Sequence, residues 1–152
     1  MNVQKQDKGF TIIEVVLVLA IAALIFLMIF VALPALQRNQ ANGARKGDVG
    51  VIVSALGTYR TNSRGAAPAT AADLEKYLDG GLARLELPEF RASGSGAVNT
   101  DDASELDKSY VYLKSQCTDD QALPKPAGSR QQAVIALIEI TSGKYEAYCQ
   151  NS

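Results

Sequence analysis

The hydrophobic pattern divides the chain into a long apolar run and a domain of mixed composition. Residues 10 to 36 include 24 apolar residues out of 27, whereas residues 37 to 152 include 46 out of 116. From Val15 to Leu36 the chain passes 22 residues without a charge, and only Pro34 interrupts the run. A helix of that length rises about 33 Å, which matches the hydrocarbon layer of a membrane. The pattern predicts a membrane-spanning helix joined to one small domain.

Helical periodicity continues beyond the apolar run. Five apolar residues recur at helical spacing and form a stripe on one face: Val49, Ile52, Val53, Leu56 and Tyr59. We therefore expect one helix from about Thr11 to Tyr59, with this stripe packed on the distal domain.

Several residues weaken the predicted helix. Pro34 lacks a backbone donor and is expected to kink it, and each internal glycine costs about 1 kcal/mol relative to alanine. The predicted flexible positions are Pro34, Gly43, Gly47 and Gly50; Gly43 and Gly47 also have the spacing that lets two helices approach closely. The alternative is that residues 37 to 48 form a simple polar linker.

The distal domain opens with a turn and a short helix. The polar cluster from Thr61 to Pro68 predicts the end of the long helix. Thr70 to Asp73 is typical of a helix cap, and the helix after it carries three apolar residues on one side, Leu74, Tyr77 and Leu78. Residues 85 to 90 contain a proline and are expected to be irregular, and residues 91 to 108 are expected to form a polar loop.

Three strands are predicted in the last third of the chain, over Ser109–Cys117, Ala133–Ile140 and Lys144–Cys149. Alternation on the first strand places Val111, Leu113 and Cys117 on one face, opposite Tyr110 and Tyr112. On the last strand the residues that share a face are Tyr145, Ala147 and Cys149. The predicted class is α+β, with a long N-terminal helix packed on a small antiparallel sheet.

The two cysteines, Cys117 and Cys149, form an even pair in the domain predicted to be exported, where a disulfide is chemically permitted. Such a bridge closes a loop of about 30 residues and contributes about 3 to 4 kcal/mol in the loop-entropy treatment. Two buried free thiols are the alternative.

Composition removes several classes of function. The chain has no histidine, which excludes histidine triads and histidine zinc sites, and two cysteines cannot build an all-thiolate zinc site. No catalytic constellation and no cofactor site are predicted. The loop pairs Asp101/Asp102 and Asp119/Asp120 offer oxygen ligands for calcium, but solvated loop charge explains them better. Packing within the sheet likewise explains most of the tyrosines that could form an adhesive surface, Tyr110, Tyr112, Tyr145 and Tyr148.

Charge is unevenly distributed along the chain. The net charge of −1 argues against a general nucleic-acid binder. Residues 38 to 64 carry a net charge of +4, from Arg38, Arg45, Lys46, Arg60 and Arg64 against Asp48, whereas residues 65 to 152 carry −5. This basic neck could face DNA phosphates, phospholipid headgroups or acidic neighbouring domains, and DNA is the weakest of the three alternatives.

Glu14 stands near the start of the uncharged run, where a lone carboxylate is costly and usually has a partner. The run itself is too long for a cleaved secretory signal. The segment Lys8-Gly9-Phe10-Thr11-Ile12-Ile13-Glu14 resembles the processing site of type IV prepilins. The resemblance implies that a prepilin peptidase cuts between Gly9 and Phe10 and methylates the new amino terminus at Phe10.

The resemblance also suggests a partner for Glu14. Cleavage exposes an ammonium group at Phe10, and Glu14 of an adjacent subunit would neutralise it in a charge-assisted pair. Such a pair is far stronger in a low dielectric than in water, and it would fix the axial register of stacked helices. Phe10 and Glu14 are therefore expected to serve assembly, not catalysis.

The resemblance implies a division into a leader (1–9), a membrane and filament-core helix (10–36), its amphipathic continuation (37–60) and an extracytoplasmic head (61–152). Because basic residues flank both ends of the span, the motif decides the orientation, with the amino terminus in the cytoplasm. The expected function is a structural subunit of a type IV pilus, first held in the cytoplasmic membrane and later displayed as a helical surface filament.

The expected partners are further copies of the chain, the prepilin peptidase, the pilus assembly machinery and other minor pilins. Adhesion, twitching motility and DNA uptake are the roles that the resemblance implies. Two alternatives stay open: a pseudopilin of a secretion or competence system, and a monomeric membrane-anchored binding protein. Loss of assembly on substitution of Glu14 would separate a filament subunit from an anchored monomer.

Overall fold

A computed structural model describes residues 9–78, 80–119 and 123–152. The chain separates into two compact units, of which the first ends at Arg38 and the second covers Asn39–Ser152. The first unit contains the apolar run, and the second, called the head below, contains the sheet and the hydrophobic core.

Helix α1 spans Ile12–Asn62, which confirms the predicted long helix. Thr11 begins it, because the Thr11 hydroxyl accepts a hydrogen bond from the Glu14 amide at 3.3 Å and satisfies a donor of the first turn. The helix continues through Pro34. It ends where Arg64 and Gly65 adopt positive φ and the Gly65 amide bonds back to the Arg60 carbonyl at 2.8 Å.

The sheet has four strands in the order β1-β2-β5-β6, namely Glu89–Arg91, Ser109–Leu113, Gln132–Thr141 and Lys144–Asn151. Strands β2, β5 and β6 are antiparallel neighbours, as predicted. Strand β1 was expected to be irregular, and it instead pairs in parallel with β2, so the sheet is mixed. Pro88 directly precedes β1, a position at the start of an edge strand where a missing backbone donor is tolerated.

The first predicted strand does not run unbroken to Cys117. Strand β2 ends at Leu113, and Lys114 adopts the left-handed conformation with φ of 53°. The chain then forms β3, Ser115–Gln116, which pairs with β4, Lys125–Pro126, in a separate two-stranded sheet. Because Lys114 breaks the alternation, Cys117 packs with Tyr110 and Tyr112 and not with Val111 as predicted.

The sheet separates two hydrophobic clusters. On one face, the predicted stripe of α1 packs on the sheet, with Val49, Ile52 and Leu56 fully buried. Helix α2, Ala71–Glu75, joins this cluster through Leu74, and its predicted cap is confirmed because the Thr70 amide and hydroxyl both donate to the Asp73 carboxylate. The other face carries the second cluster, which is centred on buried side chains of β2, β5 and β6.

The second cluster includes a disulfide between Cys117 and Cys149, whose Cα atoms are 5.8 Å apart. The prediction of a bridge is confirmed, although Cys117 reaches its partner from beyond β3 and not from β2. The bridge closes a separation of 32 residues along the chain. Its contribution to the free energy of unfolding is therefore about 3 to 4 kcal/mol by loop entropy.

Candidate functional site

The beginning of helix α1 combines an exposed aromatic ring with an unpaired carboxylate. Phe10 is 85% exposed and lies next to the N-cap residue Thr11. Glu14 lies in the first turn, and its carboxylate has no hydrogen bond or ion pair among the residues that the structure describes. The helix dipole favours a negative charge in the first turn of a helix, and the Glu14 carboxylate remains free to bind a cation.

Phe10 and Glu14 share one side of the helix with Val15, Val18 and Leu19, and these five residues line a shallow groove. Its lining is apolar throughout, so Glu14 contributes only carbon atoms of its side chain. A groove of this kind suits another apolar helix.

The apolar run that follows is uncovered. From Phe10 to Leu36, nineteen large apolar side chains are between 48% and 85% exposed. The most apolar window of α1 has a mean hydropathy of 3.3 and none of it is buried, so this helix is long and apolar enough to cross a membrane. Burial of one such side chain is worth about 1.5 to 3 kcal/mol, so lipid or other protein chains must cover this surface.

Within the head, three polar side chains of α1 bind strand β5 and two loops, and their grouping is not evident from the sequence. Asn42 pairs with the main chain of Glu139, donating to its carbonyl at 2.6 Å and accepting from its amide at 3.0 Å. Arg45 donates to the Asp107 carboxylate at 2.8 Å. Asp48 accepts three main-chain amides, those of Ala83, Arg84 and Leu85, at 2.7 to 2.8 Å.

This polar clamp, Asn42, Arg45 and Asp48, corrects the prediction of a basic neck. Arg45 is 1% exposed and Asp48 is 3% exposed, so Arg45 is not available to an external anion. The residues occupy helical positions i, i+3 and i+6, a spacing that could have suggested a shared face.

Two further basic residues of the neck also have partners in the head. Arg60 donates to the side chains of Gln132 and Ser152, at 3.1 and 3.3 Å. The Lys46 ammonium lies over the ring of Tyr148, 5.1 Å from its centroid, while the residue itself is exposed. The neck is therefore a weaker candidate for DNA binding than its charge count suggests.

The glycines predicted to confer flexibility lie within helix α1. A Cβ atom built at Gly43, Gly47 or Gly50 meets nothing within 4 Å. The packing of the head therefore does not require glycine at these positions.

The loop carboxylates have local structural roles. Asp102 accepts a hydrogen bond from the Ser104 amide at 2.8 Å, which begins a 3₁₀ turn at Ala103–Glu105 and lowers the pKa of its carboxyl group. The Asp101 amide bonds to the side chain of Asn99. Asp119 is exposed, and its predicted partner Asp120 lies outside the described residues. Within the described part of the chain, no group of three metal-binding side chains is present.

The tyrosines of β2 are buried and do not form an exposed adhesive surface. Tyr110 donates to the Glu105 carboxylate, and the Arg91 guanidinium lies 3.8 Å from the centroid of its ring. Burial is the largest cause of a strongly raised pKa of the Tyr110 hydroxyl, followed by its bond to Glu105. Hydrogen bonds from Lys108 and Tyr110 lower the pKa of Glu105.

Comparison with known families gives a match near the amino terminus. Residues 4–30 match the family described as "Prokaryotic N-terminal methylation motif". This motif is the class III signal peptide of type IV pilins and pseudopilins, and the proteins that carry it are structural rather than enzymatic. No curated protein and no solved structure is significantly similar to the chain. The match covers the residues around Gly9 and the apolar run as far as Phe30, and it does not extend to the head.

The methylation motif, with the long N-terminal helix and the small sheet, supports a pilin-like or pseudopilin protein. Its apolar N-terminal helix fits a membrane-anchored subunit before assembly. The motif implies processing by a prepilin peptidase and assembly into a pilus-type filament.

Proposed function

We propose that the chain is a structural subunit of a type IV pilus. Prepilin peptidase cuts between Gly9 and Phe10 and methylates Phe10, so residues 1–9 are the leader. The processed subunit waits in the cytoplasmic membrane with its amino terminus inside, and the assembly machinery then moves it into a helical surface filament. Minor pilins are expected as additional partners in that filament.

One observation carries the proposal. The apolar surface from Phe10 to Leu36 is uncovered, and it begins with a methylation motif whose carboxylate, Glu14, has no partner among the residues that the structure describes. A membrane anchor that stays monomeric would explain the apolar surface, but it would leave the Glu14 carboxylate without a partner. In a filament, the Glu14 carboxylate of one subunit binds the new ammonium group of the next subunit, and the apolar surfaces of neighbouring helices pack on one another.

Filament length separates the pilus from the pseudopilus. Cells that express the chain are examined by electron microscopy with an antibody against the head. A type IV pilus subunit labels long filaments that extend from the surface, whereas a pseudopilin labels none and remains in the envelope. Adhesion, twitching and DNA uptake are then tested in a deletion strain.

Replacing Gly9 with valine is expected to block processing, because a branched side chain beside the scissile bond hinders access of the peptidase. The precursor should then keep its leader and fail to form filaments. Intact-mass measurement of the membrane-extracted protein checks this result. Gln6→Ala, in the same leader, is the control and should be processed normally, and a Gly9→Val protein that starts at Phe10 would contradict the proposed cleavage site.

The segment around Gly43, Gly47 and Gly50 is proposed to serve the filament through flexibility or close helix approach. Gly47→Ala is expected to stabilise the head by about 0.5 to 1 kcal/mol, because its Cβ atom has open space and alanine favours the helix. Filament yield should nevertheless fall. Denaturant unfolding and a shear assay measure the two effects.

Gly57→Ala provides the matched control, since Gly57 is equally open but lies outside this segment. It should stabilise the head without lowering the filament yield. If Gly47→Ala cells assemble as many filaments as wild-type cells, the glycine has no role in assembly.

A further inference from the structure

The segment that leads into β1 borders a groove on the surface of the head. The groove has a volume of about 420 Å³, and leucines form most of its described lining. Leu87 is 46% exposed, whereas Leu78 and Leu85 are buried in the hydrophobic cluster on the face where α1 packs. Among the described lining residues the charged one is Glu75, the last residue of α2. This leucine groove is lined by Glu75, Leu78, Gly81, Leu82, Leu85 and Leu87.

The turn between β5 and β6 forms a tip whose chemistry complements the groove. Residues 140–144 are all exposed; Ile140 is 55% exposed, and Lys144 is the one charged residue among the five. Within the part of the chain that the structure describes, neither the Lys144 ammonium nor the Glu75 carboxylate has a hydrogen bond or an ion pair. An exposed apolar side chain beside an unpaired cation therefore matches exposed leucine beside an unpaired anion.

The groove and the tip belong to opposite edges of the sheet. The Glu86 amide bonds to the Asp107 carbonyl at 2.8 Å, so the chain before β1 already runs beside the chain before β2, and Leu85 and Leu87 lie at the β1 edge. The tip leads into β6, which forms the other edge. Three strand spacings separate the two edges, a distance of about 14 Å. The tip is therefore too far away to fill the groove of its own head, and the copy that fills it must be another one.

The tip fits the groove better than the other exposed apolar side chain of the head does. Leu123 is 48% exposed, but the residue after it, Pro124, is buried, so this part of the chain lies against the head. The tip instead presents five consecutive exposed residues and can project into a neighbouring groove.

A contact between two different surfaces of identical subunits repeats from one copy to the next. Such a contact forms a ring or an open helical assembly, whereas a surface that pairs with itself closes a dimer. Each head has one tip and one groove, so the contact can continue from subunit to subunit along a helical filament.

We propose that the β5–β6 tip of one head docks in the leucine groove of a second copy, where the leucines cover Ile140 and Lys144 pairs with Glu75 at the rim. This inference rests on the proposed function, because the filament brings the heads together at a high local concentration. The contact fixes how neighbouring heads are arranged.

Cross-linking tests the contact in intact filaments. The two natural cysteines are joined in the disulfide, so cysteines introduced at positions 140 and 87 supply the free thiols. Filaments sheared from cells that express the Ile140→Cys, Leu87→Cys protein are treated with a short bismaleimide and separated by electrophoresis under reducing conditions. Ile140→Cys with Leu123→Cys is the matched control, because Leu123 is similarly exposed but does not line the groove.

The expected result is a ladder of covalent multimers for positions 140 and 87, and monomers for the control pair and for each single variant. Filaments that give no ladder refute the contact and leave the proposed function intact. An equally strong ladder for positions 140 and 123 refutes the specificity of the groove, and dimers in a single variant indicate a self-pairing surface instead. Wild-type cells without filaments refute the proposed function itself.

Reversal of the charge pair is the second test. Lys144→Glu should slow cross-linking between positions 140 and 87 by about fivefold, the upper end for an exposed ion pair, and adding Glu75→Lys should restore it. If the cysteine variants form no filaments, the same charge variants are made in the natural chain and scored by filament yield. Loss that Glu75→Lys does not restore, or no loss at all, overturns the contact.

Discussion

Replacing Glu14 with alanine is expected to abolish filament formation while the protein remains in the membrane. In the proposed filament this carboxylate neutralises the ammonium group of Phe10 in the next subunit. Removing one partner leaves an unpaired charge in a low dielectric, which costs about 3 to 5 kcal/mol at each subunit contact. Since every contact in the filament repeats the loss, assembly should fail rather than weaken.

The measurement compares sheared surface filaments with membrane fractions. Glu14→Gln keeps the size of the side chain and removes its charge, so it should fail in the same way. Glu146→Gln changes an exposed carboxylate of the head and should leave assembly unchanged. Normal filament numbers in the Glu14→Gln strain would show that the charge is dispensable, in favour of a monomeric anchored protein.

Asp48→Ala is expected to unfold the head under conditions in which the wild-type protein is stable. Its carboxylate accepts the amides of Ala83, Arg84 and Leu85, and the substitution leaves all three without that acceptor. The Leu85 amide is buried, and a buried unsatisfied amide costs about 1 to 3 kcal/mol, whereas Ala83 and Arg84 are exposed and their amides add less, so the loss is on the order of 2 to 4 kcal/mol. Such a loss is a large part of the stability of a small domain, which is about 5 to 15 kcal/mol.

Denaturant unfolding of the full-length protein in detergent micelles, followed by near-ultraviolet circular dichroism of the tyrosines, measures this effect. Asp48→Asn retains one acceptor oxygen and should be intermediate, because its amide group faces other donors. Asp101→Ala removes an exposed loop carboxylate and serves as the control. Unfolding of Asp48→Ala at the wild-type midpoint would mean that the clamp contributes little to stability.

Local periodicity explains which parts of the fold could be predicted. Helix α1 and its stripe were predictable because residues at i, i+3, i+4 and i+7 share a face regardless of the rest of the chain. Strands β5 and β6 were predictable because long β-rich runs flank a Gly143 turn. The methylation motif lies within seven consecutive residues, so no tertiary information was required to find it.

The missed features depend on contacts between distant residues. From the sequence alone, Arg45 and Asp48 are expected to be solvated charges. Their partners, Asp107 and the amides of residues 83–85, come close to them only in the folded head. The parallel pairing of β1 depends on the position of β2, not on β1 itself. The left-handed Lys114 changes the face of the sheet on which the side chains beyond β2 lie. This change was missed because a non-glycine residue at positive φ leaves no clear signal in a sequence.

The measurement that tests the central claim most directly is mass spectrometry of the protein in sheared filaments and in membranes. We predict a filament subunit that begins at Phe10, carries a methyl group on its amino terminus and is absent from filaments when Glu14 is replaced. A chain that retains Met1 and occurs only as dispersed membrane monomers would contradict it.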